Sequence, residues 1–224
     1  MMKGCKRCFI LLLLVGSISA VAAERREGLW GLISFFGSTS AWLYDLQLQP
    51  RYIGGSADVN QSLVNLGAGR ALSAPWQAWA GLTLQQTDQD APTVAREYRL
   101  WEELDYRFQR LPFEVVVRSR LEERRAEGYT CVSNRLRERV LITRFLNDNW
   151  RLVIFNEFFF NLNQVPWITT PTFDQNRTFM GMEYQLTRSI RAGSGYLWRY
   201  LPTTPSQTDN ILMLTLLVNI DMLN

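Results

Sequence analysis

Arg118, Arg120, Glu122 and Arg124 stand two residues apart within EVVVRSRLEERRAEG, the stretch from Glu114 to Gly128. Guanidinium and carboxylate groups at that spacing share one face of a β-strand, where they can pair in fixed forks or line a common surface. The segment before it repeats the pattern with Glu97, Arg99, Glu103, Asp105 and Arg107, and the segment after it with Arg135, Arg137 and Arg139. Glu157, Arg177 and Glu183 extend the array onto later segments. Arg51 has the polar parity of its own segment but falls near its end, so a rim position is expected for it.

Other chemistry is poorly supported. The chain has no histidine, which removes a Ser-His-Asp triad and an HExxH zinc site. Its cysteines, Cys5, Cys8 and Cys131, offer no zinc spacing. Asp88 and Asp90 in TDQDAP form a weak calcium-loop pattern, and acidic loops are more often merely solvated. Paired carboxylates could run glycoside hydrolysis, but the adjacent Glu102 and Glu103 point to opposite faces of a strand. The expectation is therefore a protein that is not an enzyme and uses no cofactor or metal.

What must position these charges is the next question. A helix competes for residues 114–128, because Leu, Glu, Arg and Ala favour helices and Arg118 with Glu122 is an i,i+4 pair. Against it stand the β-branched run Val115–Val117 and the recurrence of the two-residue period in both neighbours. The same alternation runs through AWLYDLQLQPRY, PWQAWAGLTLQQ, EYRLWEELDYRFQR, NRTFMGMEYQL and the last apolar run, where Leu212, Leu214, Leu216 and Val218 share a face.

Ten such segments lie near 40–52, 60–71, 75–87, 94–108, 112–124, 132–146, 149–161, 174–187, 189–201 and 208–220. Long polar connections alternate with short ones, as in a transmembrane barrel with tight turns on one rim and longer loops on the other. An all-β fold is predicted: an antiparallel transmembrane β-barrel of about 10 strands, with 12 as the alternative. The segment GLWGLISFFG, Gly28–Gly37, would make eleven, and an even count is expected for antiparallel closure; ten strands place both termini in the periplasm.

Energetics choose the facing. An Arg at mid-bilayer on the lipid side costs about 2–4 kcal/mol, so the Arg/Glu parity is expected to line the lumen and the apolar parity to face lipid. There, opposite charges on adjacent strands can pair across the ladder. Gly67, Gly69, Gly181, Gly193 and Gly195 leave room for long Arg side chains from the opposite wall. Glu102 and Glu138 break the apolar parity mid-strand, so a bulge or a register error is expected at them. Trp42, Trp76, Trp150, Tyr52, Phe108 and Tyr200 sit toward strand ends, as interface girdles do.

The first residues, MMKGCKRCFILLLLVGSISAVAA, have a basic start, a short apolar core and a small-x-small end at Val21 and Ala23. This is the layout of a cleaved signal peptide over residues 1–23, followed by one barrel domain over 24–224. Both lysines fall in that leader, and the remainder has equal numbers of Arg and of Asp plus Glu, which argues against a nucleic-acid partner.

With these pieces in order, the chain resembles the bacterial family known as domain of unknown function 2490, a group of small outer-membrane barrels. The pieces are RSRLEER at Arg118–Arg124, NRLRER at Asn134–Arg139, IFNEFFFN around Glu157, QNRTFMGMEY at Gln175–Tyr184 and GSGYLWR at Gly193–Arg199. The resemblance implies a Gram-negative outer-membrane barrel and supplies no catalytic residues. The expected function is a non-enzymatic barrel with an Arg/Glu-lined lumen, acting as a narrow channel or in a structural or binding role. Its expected partners are outer-membrane lipids and the barrel-assembly machinery. The alternative is a soluble periplasmic barrel that binds an amphiphile, with apolar residues inside and charges outside.

Overall fold

A computed structural model describes residues 24–54, 59–89 and 95–222. The signal peptide expected at 1–23 lies outside them, as does Asp90 of the acidic loop.

Eleven strands close one barrel in which sequence neighbours pair antiparallel. In chain order they are β1 (Glu24–Thr39), β2 (Trp42–Gly54), β3 (Val59–Ala71), β4 (Trp76–Gln89), β5 (Ala95–Arg110) and β6 (Phe113–Ala126). The wall continues with β7 (Ser133–Phe145), β8 (Trp150–Asn161), β9 (Phe173–Gln185), β10 (Ile190–Leu201) and β11 (Gln207–Asn219). A 3₁₀ turn, Ile220–Met222, follows β11.

The strand count corrects the expectation of ten or twelve. Gly28–Gly37 belongs to β1, a full member of the wall, and the odd number is accommodated by a parallel seam. β1 and β11 run side by side in continuous register from Glu24↔Gln207 to Phe36↔Asn219. The two ends of the barrel wall therefore lie at opposite rims, not both on one side. Glu24 is at the rim of the longer connections, where Gln207 begins β11, while Asn219 is at the rim of the tight turns, bonded to Ser189.

Register elsewhere is regular, and on β5 to β7, with one charged and one apolar parity each, a one-residue slip would exchange them. The register shift that does occur is at Phe159/Phe160 between β8 and β9. Glu102 and Glu138 show none: Glu102 pairs Leu121, and Glu138 pairs Ser119, in unbroken ladders. They are outer-wall carboxylates, and Ser119 Oγ donates to Glu138 at 2.7 Å. Pro50 cannot donate to a ladder, and Gly31 opposite it leaves space, since a Cβ there would lie 3.0 Å from the proline ring.

The outer wall exposes Leu66, Leu82, Leu100, Val140, Met180 and Leu214 around its middle. Toward the tight-turn rim, Trp76 packs edge-on to Tyr106 at 4.9 Å and Trp150 lies 4.8 Å from Tyr184. Toward the other rim, Tyr200 stacks with Trp198 and Phe173. Inside, Trp30, Ile53, Val153, Phe179, Leu197 and Ile211 form an apolar cluster on one side of the barrel. The rest of the interior is mostly polar or charged, with Leu63, Trp101, Val116 and Phe159 among it. An amphiphile binder with charges outside and an apolar inside would need the reverse facing.

Candidate functional site

The charged side of the interior is built on β5 to β9, whose inward parity carries the arginines and carboxylates. Arg99, Asp105, Arg118, Arg120, Glu122, Arg124, Arg135, Glu157 and Arg177 are buried. Glu97, Glu103, Arg137 and Arg139 are partly buried beside them. Glu183 sits lower, within 3.4 Å of Arg191, and Arg107 lies toward the tight-turn rim near Asp105 and Glu114.

Part of the pairing follows the ladder: Glu103 faces Arg120 and Glu122 faces Arg135, and both pairs are ion-paired, but other positions set like charges opposite each other. In register, Arg99 faces Arg124, Arg118 faces Arg139 and Arg120 faces Arg137. Like charges directly opposite are destabilising unless something intervenes. Here four carboxylates each bridge two guanidiniums, using diagonal and same-strand neighbours as well as direct ladder partners. Glu97 accepts from Arg99 at 2.7 Å and Arg124 at 2.6 Å. Glu103 accepts from Arg120 at 2.5 Å and lies 3.4 Å from Arg118. Glu122, with 0% exposure, accepts from Arg135 and Arg137, each at 2.5 Å. Glu157 accepts from Arg137 at 2.7 Å and from Arg118.

Several interior charges fell outside the sequence-predicted array. Asp209 accepts from Arg26 of β1 at 2.8 Å and from Arg199 of β10 at 2.5 Å, so one carboxylate ties the parallel seam to the next strand. Asp174 accepts from Arg135 at 3.0 Å and from Thr170 at 2.5 Å. Asp45 accepts from Ser34 at 2.6 Å and from Gln47, with no arginine within ion-pair distance among the described residues. The parity of Asp45 was visible in the sequence; its role was not.

Arg51 is a correction. Its backbone is near the end of β2, but its guanidinium lies 4.2 Å from the centre of the Trp30 ring, well inside. Arg177 and Arg199 approach the same ring, at 5.1 Å and 5.3 Å. Arg177 also lies 4.5 Å from the Phe159 ring. Among the described residues, neither Arg51 nor Arg177 has a carboxylate within ion-pair distance; Arg51 donates to Gln49 at 2.5 Å and Arg177 to Gln175 at 3.1 Å.

The glycines also serve a different purpose from the expected one. A Cβ on Gly67 would meet the Trp101 ring at 2.7 Å, one on Gly69 the Trp79 ring at 2.3 Å, and one on Gly181 the Phe179 ring at 2.5 Å. The space is filled by rings from nearby positions on the wall, not by arginines reaching across. Arg120 then lies over Trp101, its Cζ 3.9 Å from the ring centre, where the indole face supports the cation.

Two chambers remain along the axis. One of about 340 Å³ opens toward the tight-turn rim and is bordered by Trp79, Asp105, Arg107 and Glu183. One of about 140 Å³ lies toward the other rim and is bordered by Gln61, Gln85, Asp174 and Gln175. Arg99, Arg137 and Arg177 line both, so these three side chains form the partition between them. Among the described residues no group of three or more His, Cys, Asp or Glu is placed to hold a metal ion.

An uncharacterised protein of Methylorubrum extorquens is 27% identical over 215 residues, covering 93% of this chain and 94% of that one. The solved structure of the NanC porin superposes with a TM-score of 0.52 at 13% identity, covering 79% of this chain and 86% of that chain, which is a likeness of fold. The model of the family described as protein of unknown function (DUF2490) matches residues 27–210, and the chain belongs to that family.

Proposed function

We propose that the protein is a non-enzymatic barrel of the Gram-negative outer membrane, exported through the leader at 1–23, whose charged interior serves as a narrow conduit. The observation that carries this reading is the pair of chambers in line, with the side chains of Arg99, Arg137 and Arg177 bordering both. Of these, Arg99 and Arg137 are held by carboxylates, while Arg177 has no ion pair among the described residues and is the side chain best able to swing aside. The exposed aliphatic band with aromatic residues toward both rims supports insertion in lipid, because a soluble surface rarely exposes so large an apolar area. Outer-membrane lipids and the barrel-assembly machinery are the partners this reading requires. The lumen-facing set is the Arg/Glu array described above.

The test is conductance of the purified protein in planar bilayers. Wild type shows small conductance steps, and Arg177→Ala, which shortens one partition side chain, enlarges them. Absence of steps in both wild type and the combined Arg99→Ala, Arg137→Ala, Arg177→Ala variant sinks the conduit and leaves a closed barrel. Recovery of the exported protein in the soluble periplasmic fraction sinks the membrane reading as well.

A further inference from the structure

The smaller chamber has too many cations for its carboxylates. Seven arginines and one carboxylate, Asp174, line it. Most of those arginines are accounted for: Arg99 and Arg124 share Glu97, Arg135 and Arg137 share Glu122, and Arg199 has Asp209. Asp174 has its oxygens committed to Thr170, Arg135 and Gln175. Arg51 and Arg177 are left, and both approach Trp30 together with Arg199.

An aromatic face offsets part of the burial of a cation, but three guanidiniums around one indole repel one another. Arg177 is only 9% exposed, so water cannot screen it fully. Arg51 Nε and Arg124 Nη1, both on residues lining the chamber, donate to no protein acceptor. Gln61, Gln85 and Gln175 add neutral amides to the same wall. The volume of about 140 Å³ is roughly ten times the least that holds one water.

From this we infer that the chamber is a binding site for a small oxyanion of the phosphate or sulfate type, held between the forks of Arg51 and Arg177. Planar guanidinium forks match such oxygens with two parallel hydrogen bonds, and Lys would not. The anion supplies the missing negative charge and takes up donors that the protein leaves open. The chamber lies on the side of the longer connections, so the anion enters from that rim. A free ion and the head of a larger phosphorylated or sulfated solute present the same chemistry. The site rests on the conduit reading only for its purpose, since binding requires no passage.

The experiment is calorimetric titration of inorganic phosphate, and separately of sulfate, into the full chain refolded in detergent, at constant ionic strength in a chloride background. Saturable binding of one ion per chain is expected. Arg51→Gln and Arg177→Gln each weaken it by about tenfold or more, the loss of a charge-assisted pair of hydrogen bonds. Arg70→Gln, exposed on the outer wall, leaves it unchanged. Should a glutamine variant fail to fold, Arg51→Lys and Arg177→Lys keep the charge and lose the fork, and the same weakening is expected. No saturable heat, or equal affinity in the wild type and the Arg51 and Arg177 variants, overturns the site. Competition by glycerol phosphate equal to that by phosphate points to a larger phosphorylated solute. Exclusive binding of the free ions limits the site to them. Conductance without anion binding sinks this site alone; anion binding without conductance sinks the conduit alone.

Discussion

The carboxylate of Asp209 is the most informative single group to remove. It is 0% exposed and is shared by Arg26 on β1 and Arg199 on β10, so it holds together the strands on either side of β11, including the parallel seam. With charge centres about 4 Å apart and an effective dielectric of about 20, each pair attracts by about 4 kcal/mol. Repulsion between the two guanidiniums and the desolvation of three charges take back much of that gain. What matters for Asp209→Asn is that two guanidiniums lose their carboxylate while staying enclosed, a change that costs about 3–5 kcal/mol. Set against a total stability of about 5–15 kcal/mol, that is a large fraction. Urea unfolding of the protein in lipid vesicles, followed by the loss of the compact gel band, reads the cost directly. Replacing the whole triad, with Asp209→Leu, Arg26→Met and Arg199→Met together, removes the charges as well as their pairing and restores most of the stability. A cost below about 1 kcal/mol for Asp209→Asn, the range of an exposed pair, refutes the claim that this carboxylate closes the seam. So does a triple variant no more stable than the single one.

Three further outcomes are expected. Trp101→Ala removes the ring that fills the space over Gly67 and Gly81 and supports Arg120, and lowers stability by about 3–5 kcal/mol in the same urea assay. Asp221, just after β11, accepts from Tyr44 Oη at 2.7 Å and Ser38 N at 2.6 Å, and chiefly the Tyr44 bond holds its carboxyl below its ordinary range. A depressed folded value means that the latch is fully formed above the unfolded value of about 3.9 and is lost as pH falls through the lower folded one. Protease cleavage after Asn219 should therefore rise at acid pH in wild type and be pH-independent in Asp221→Asn. Cys131 is exposed in the connection after β6, on the long-connection rim. A membrane-impermeant maleimide labels it on intact cells if that rim faces outward, and labels it only after lysis if the barrel is inserted the other way.

The strands and their faces were legible in the sequence because the period of two is imposed residue by residue. Arg118, Arg120, Glu122 and Arg124 differ so sharply from Val115, Val117 and Leu121 that no other facing is affordable. The eleventh strand was harder to place because β1 lacks that contrast. Its inward Trp30 and Leu32 pack on the apolar side of the interior, so both of its faces read as hydrophobic. Closure is also a property of the whole ring, and no local spacing reveals that β1 pairs β11 in parallel. The cluster around Trp30 was hidden for the same reason. Arg51 is the register partner of Trp30 on neighbouring β2, but Arg177 and Arg199 belong to β9 and β10, which reach the indole only once the seam is formed. Likewise the glycines were recognisable as small, but whether a ring or a guanidinium would take their space depended on side-chain direction along the wall.

The odd strand count has a practical consequence for anyone attaching something to this protein. With a parallel seam the chain enters the wall at one rim and leaves it at the other, from Glu24 beside Gln207 to Asn219 beside Ser189. A reporter fused before Glu24 and another fused after Asn219 would emerge in different compartments once the barrel is inserted. A single molecule would thus carry an addressable tag on each side of whatever sheet of lipid it spans, which a barrel of even strand number cannot offer from its two ends.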